Sequence, residues 1–181
     1  MNEPPKIIVL GIGNILLSDE GVGPKVAWRL KAEYRFPPNV EIYDGGTTGL
    51  GLLPYISEAD YLVIVDAING PGEPGSVYRY TVDDFDLNIP TKMSIHDVGL
   101  IECLALAELD GSAPEKTIIL GVKPKSLVGG MELTDVVAAK MDELVAMTVK
   151  EIGEMGFGGI ATIKGSNSAS LGSPDPGLHN A

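Results

Sequence analysis

Ile7 to Gly23 reads IIVLGIGNILLSDEGVG. The unbroken apolar run Ile7-Ile8-Val9-Leu10 stops at Gly11-Ile12-Gly13-Asn14. The loop then carries two adjacent carboxylates, Asp19 and Glu20, before Gly21-Val22-Gly23-Pro24 opens a helical pattern. A buried strand feeding a glycine loop and then a helix is how an α/β domain begins. An apolar run without polar alternation suits a central strand covered on both faces. Open α/β sheets build their sites at the C-terminal ends of such strands, which is where Asp19 and Glu20 fall.

Outward from this stretch, Val22, Val26 and Leu30 recur at helical spacing and predict a helix from about Val22 to Tyr34, stopped by Phe36-Pro37-Pro38. Val40 to Asp44 alternates like a half-exposed strand and runs into a glycine-rich turn, Asp44 to Gly49. Leu50 to Ile56 reads as a short helix. Tyr61 to Asp66 is the clearest buried strand and ends on a carboxylate. Ser76 to Tyr80 follows so closely that it is expected to run antiparallel. Asp83 to Pro90 is irregular, and Val98 to Leu109 is helical with Asp97 as its N-cap. Thr117 to Val122 is the last buried strand, and Thr134 caps one long final helix. The expected fold class is α/β: a three-layer α/β/α sandwich with a mixed five-stranded sheet and one antiparallel strand, in a single domain over residues 1–157. Residues 158–181, rich in Gly, Ser, Asn and Pro, read as a tail without fixed structure.

Composition narrows the function classes. The chain has 181 residues, 44% apolar, enough for one core. With 13 basic and 25 acidic residues its net charge is -12, which argues against nucleic acid and membrane as partners. The single cysteine, Cys103, excludes a disulfide framework and reads as an inert thiol on an apolar helix. The opening residues do not read as a signal peptide and no run reaches bilayer length, so a cytoplasmic protein is expected.

Four residues are candidates for chemistry. Glu20 fits a helix-terminus carboxylate and a metal ligand equally well, and Asp66, ending a buried strand, serves as a cap or a functional group with equal ease. His96 is one of two histidines, the other being His179 in the tail. If the element ends converge, Glu20, Asp66 and His96 make a site for a borderline divalent cation with positions left open. Asp44 precedes Gly45-Gly46 but lacks the Thr-Gly or Ser-Gly of an aspartic protease and has no second copy, so a turn-stabilising role also fits. A dinucleotide fingerprint needs a third glycine where this chain has Leu16. Neither G-x-S-x-G nor H-E-x-x-H occurs.

Gly11-Ile12-Gly13-Asn14, Leu17, Asp19-Glu20-Gly21-Val22-Gly23, Asp44-Gly45-Gly46-Thr47, Val65-Asp66-Ala67 and Ser94-Ile95-His96 together resemble the hydrogenase maturation proteases, from Lys6 to about Phe157. The resemblance implies a hydrolase, often grouped with aspartic-type peptidases. It would trim the C-terminal extension of a nickel–iron hydrogenase large-subunit precursor, the implied partner. It implies that nickel arrives in the substrate and meets Glu20, Asp66 and His96 as metal ligands at one solvent-accessible point. It also implies a further important carboxylate at Asp44, a candidate general base or water-orienting group bordering the same cleft. Lys123-Pro124 departs from the family pattern, in which a neutral or acidic residue commonly precedes this proline.

A metal- or nucleotide-binding α/β module without peptidase activity is the alternative from another class. Divalent cations are expected to raise the melting temperature and nucleotides to leave it unchanged. Stabilisation by nucleotides but not by cations in a thermal-shift titration would favour the binding module.

Overall fold

Five of the predicted runs form one sheet. The structure, a computed structural model, describes residues 4–82, 97–155 and 159–163. In chain order the elements are β1 (Ile7–Ile12), α1 (Val22–Glu33), β2 (Tyr34–Arg35), β3 (Val40–Gly46), α2 (Leu53–Glu58), β4 (Tyr61–Ala67), β5 (Val77–Thr81), α3 (Asp97–Asp110), β6 (Lys116–Val122), α4 (Asp135–Ala138), α5 (Met141–Glu154) and β7 (Ala161–Thr162). The strand order is β3-β1-β4-β6-β5. β5 runs antiparallel to β6, and the other pairs are parallel. The mixed sheet and its antiparallel strand are as the sequence predicts.

Alternate residues of the central strands feed two cores. Ile7, Val9, Val63, Val65 and Leu120 pack with Val22, Val26 and Leu30 of α1 and with Leu144, Val145 and Ile152 of α5. Ile8, Leu10, Leu62, Ile64 and Ile119 pack with Ile56 of α2 and with Leu100, Cys103 and Ala107 of α3. Helices therefore cover both faces, which is why β1, β4 and β6 are apolar throughout. β5 is held across layers by Arg79, whose guanidinium bonds both oxygens of the buried Glu151 on α5, at 2.6 and 3.0 Å. A charge as buried as Glu151 needs such a partner.

This order places a topological switch beside β1. From β1 the chain goes to β3 on one side, and β4 then returns to the other side. α1 lies on one face and α2 on the other. Ligand crevices in open α/β sheets open at the C-terminal ends of strands at such a point.

Three details differ from the sequence reading. The last helix is two, because the turn at Ala139 and Lys140 separates α4 from α5. Tyr34 leaves α1 and forms β2, which pairs with β7. Ala161 and Thr162, read as part of a structureless tail, thus have strand partners, and the Ile163 N–H donates to the Glu33 carbonyl at 2.7 Å. The irregular stretch from Asp83, His96, and the tail beyond residue 163 lie outside the described residues. Among the described residues no helix is long and apolar enough to cross a membrane.

At Gly11, β1 meets the backbone of α1 directly. A Cβ on Gly11 would lie 2.2 Å from the Gly23 carbonyl oxygen and 2.9 Å from the Ala27 Cβ. Gly11→Ala must push α1 away and is expected to cost about 3 kcal/mol. Gly153, in the last turn of α5, has open space around it, so Gly153→Ala is expected to stabilise by about 0.5–1 kcal/mol. Urea midpoints moving in opposite directions at unchanged m-value check both.

Candidate functional site

The glycine loop after β1 folds down onto the strand ends. Gly13 has φ 133°, in the region that favours glycine. A Cβ there would lie 1.9 Å from the Glu20 carbonyl oxygen and 3.5 Å from Asp66 Oδ1. The bare glycine lets the 3-10 turn Ser18–Gly21 approach the end of β4, so the Glu20 backbone carbonyl and the Asp66 carboxylate both lie close to Gly13. Each is only 2% exposed. That corrects the expectation of an open, solvent-accessible point: the two carboxylates are buried. Asp66 Oδ1 also accepts the Ala67 N–H at 2.7 Å, which fixes the side chain against its own strand. Two buried carboxylates suit a hard or borderline divalent cation. His96, the third ligand implied by resemblance, lies outside the described residues. Among the described residues no three His, Cys, Asp or Glu side chains group to hold a metal.

Asp19 has a different task from its neighbour. Fully buried, its Oδ2 accepts the Lys125 and Ser126 N–H groups at 2.8 and 3.0 Å and the Thr134 hydroxyl at 2.9 Å. Its Oδ1 accepts the Thr134 N–H at 2.7 Å. This carboxylate ties the loop after β6 to the turn that carries Glu20. Thr134, predicted as a helix cap, sits at the N-cap of α4 but makes no side-chain cap bond and gives its hydroxyl to Asp19. No local signal finds this pair, since the partners are 115 residues apart.

Ser18 is the one non-glycine residue with positive φ among the described residues, at 49°. Such a conformation costs about 1 kcal/mol and persists where the surroundings hold it. Here the Ser18 N–H donates to the Gly130 carbonyl at 2.7 Å and its hydroxyl to the Val128 carbonyl at 2.6 Å. The strain lies immediately before Asp19 and Glu20.

Asp44 stands apart from the buried pair. It lies near the end of β3, beside Gly11 of β1, and β1 pairs Gly11 with Val65 on its other side. In-register parallel neighbours share a face, so Asp44 points with Val65 toward α1, and Asp66 points to the other face. Asp44 is exposed, and it accepts the Trp28 indole N–H of α1 at 2.9 Å and the Gly46 N–H at 3.0 Å. The second bond is the turn-stabilising one.

Two other residues weighed from sequence have structural partners. Lys123 Nζ donates to the Gly72 carbonyl at 2.8 Å, and the Lys123 N–H to the Ser76 carbonyl at 2.8 Å, pinning the turn before β5. Cys103 is buried with its thiol 3.6 Å from the Gly49 carbonyl, and burial pushes its pKa up, as an inert thiol requires.

A sequence profile described as hydrogenase maturation protease matches residues 24–151. The hydrogenase expression/formation protein HupD of Rhodobacter capsulatus is 36% identical over 157 residues, 86% of this chain and 75% of that one. The hydrogenase 2 maturation protease of Escherichia coli is 35% identical over 152 residues, covering 83% and 93% of the two chains. Among solved structures, the hydrogenase maturating endopeptidase HybD from E. coli matches with a TM-score of 0.79 at 33% identity, covering 87% of this chain and 96% of that one. The NiFe hydrogenase maturation protease HybD from Thermococcus kodakarensis matches with a TM-score of 0.67 at 26% identity, over 81% and 98%.

Asp19→Ala strands three backbone donors and a hydroxyl at once. The expected loss is about 3–4 kcal/mol, against about 1 kcal/mol for Thr134→Val, which removes a single bond. Denaturant unfolding of the two variants checks this; a loss below about 0.5 kcal/mol for Asp19→Ala would deny it the anchoring role.

Proposed function

The chain belongs to the hydrogenase maturation protease family, and from that premise we propose that it removes the C-terminal extension of a nickel–iron hydrogenase large-subunit precursor that already carries nickel. The nickel is part of the substrate and serves as the element recognised.

The observation that supports this reading is the close approach of the turn carrying Glu20 to the end of β4, where Asp66 stands, with both carboxylates buried at the switch point of the sheet. Their oxygens, with the His96 imidazole as a third donor, would complete the coordination of a metal presented by the precursor. Such ligands do not select nickel by themselves, because affinities of oxygen and nitrogen sites follow a general order across divalent metals. Selectivity therefore rests with the precursor, which binds the nickel first. Binding the metal positions the adjoining chain for hydrolysis, and positioning is itself a large part of catalysis. Asp44 is the candidate that the family resemblance offers for orienting water or accepting its proton; its place on the α1 face, bonded to Trp28 and Gly46, sets it apart from the buried pair and lends that role no support.

Precursors loaded with nickel and free of it, incubated with the protein and weighed by mass spectrometry, test the proposal. Loss of a C-terminal fragment from the loaded form alone is expected. Glu20→Ala, Asp66→Ala and His96→Ala should each lower cleavage by about a hundredfold while keeping the fold, in the range that loss of one electrostatic contact costs in catalysis. Equal processing of the nickel-free precursor, or full activity of His96→Ala, would overturn it.

A further inference from the structure

We propose that Leu16, Leu127, Val128 and Met131 form a docking platform for a neutral, apolar segment of the large-subunit precursor; this rests on the endopeptidase reading above. These side chains are 58%, 46%, 73% and 57% exposed. They lie on two loops, residues 14–18 and 126–131, which are bolted together. The Ser18 N–H and hydroxyl reach the Gly130 and Val128 carbonyls, the Gly130 N–H returns to the Leu16 carbonyl at 2.9 Å, and Leu17 and Gly130 pair as a parallel bridge. Beneath them the Asp19 carboxylate holds Lys125, Ser126 and Thr134. Exposed apolar side chains on unanchored loops would lose freedom on binding; here much of that ordering is already present, which favours affinity.

Chemistry and position select the occupant. In a chain of net charge -12, neither Asn14 to Ser18 nor Ser126 to Met131 contains a charged residue. The surface therefore matches a neutral apolar segment. A second copy of this chain is a poor fit, because it would bring two strongly acidic molecules face to face. Leu17 and Ser18 lead directly into the turn Ser18–Gly21 that carries Asp19 and Glu20, so a segment seated on the platform lies beside that turn. It is thus continuous with the site to which the precursor must present its metal. Leu16, which removes the dinucleotide fingerprint, gains a positive role: it supplies apolar surface where a nucleotide loop needs glycine.

The test compares wild type with Val128→Glu, with the Val128→Ser/Met131→Ser double variant, and with Leu109→Glu as control. Leu109 is 85% exposed near the end of α3, at the opposite end of the sheet. Binding of the nickel-loaded precursor is measured by titration, KM by cleavage, and self-association by sedimentation. Both platform variants should weaken precursor binding about tenfold or more and raise KM correspondingly, as truncating an interface anchor does. Leu109→Glu should bind as wild type, and all unfolding midpoints should agree. Wild-type affinity in both platform variants would overturn the platform, and so would an effect of Val128→Glu that the neutral double variant lacks. Platform variants that alter only self-association would assign the face to a second copy and also overturn it. If wild type binds the precursor through this face but never cuts it, the endopeptidase reading fails and the platform stands.

Discussion

The structure depends on what glycine leaves out between β1 and α1. At Gly11, Gly13 and Gly23 a Cβ would strike backbone atoms, at 2.2, 1.9 and 2.1 Å respectively. The carbonyl of Gly23 thus lies against the strand, and the carbonyl of Glu20 lies over Gly13. Backbone atoms in contact transmit position without the slack of rotamers, so the turn that carries Glu20 is set against the end of β4 with few adjustable torsions. Any larger residue in the path lifts the turn away from the strand end. Each of the three glycines is therefore a condition for the site as well as for the fold.

The second constraint is Asp19. A buried carboxylate with four good hydrogen bonds is stable where a lone one is not. It converts the loop after β6 from a free connection into a wall of the site. The left-handed Ser18 is tolerated because the same wall supplies its partners. Adjacent acids thus differ in their surroundings: Asp19 bonds the protein's own loop, and Glu20 is buried on the turn beside β4. Charge that looks redundant in the sequence is specialised by which groups surround it.

Much of the fold was legible because burial on both faces leaves a plain mark. β1, β4 and β6 are apolar without alternation, and the short gap before β5 allows little except an antiparallel return. What stayed hidden depends on distant partners. Nothing in Ala138-Ala139-Lys140 breaks helical periodicity, so the split between α4 and α5 is invisible locally. The two-residue strands β2 and β7 are too short to carry a pattern. Asp66 was legible as a strand-end carboxylate and Glu20 as a loop acid, each open to a structural role, and only Gly13 shows where the turn carrying Glu20 folds. The pairing of Asp44 with Trp28, and hence its opposite face, required the register of the sheet. His96 enters through family resemblance, since one histidine near a helix start has no spacing to read.

In the proposed function, Glu20 and Asp66 touch the precursor's nickel. Nickel-edge X-ray absorption on the loaded precursor, alone and freeze-trapped with the protease before cleavage, addresses it most directly. Additional oxygen or nitrogen neighbours around nickel are expected in the complex, fewer of them with Asp66→Ala. A nickel environment identical with and without the protease, in a sample that goes on to be cleaved when warmed, would contradict it.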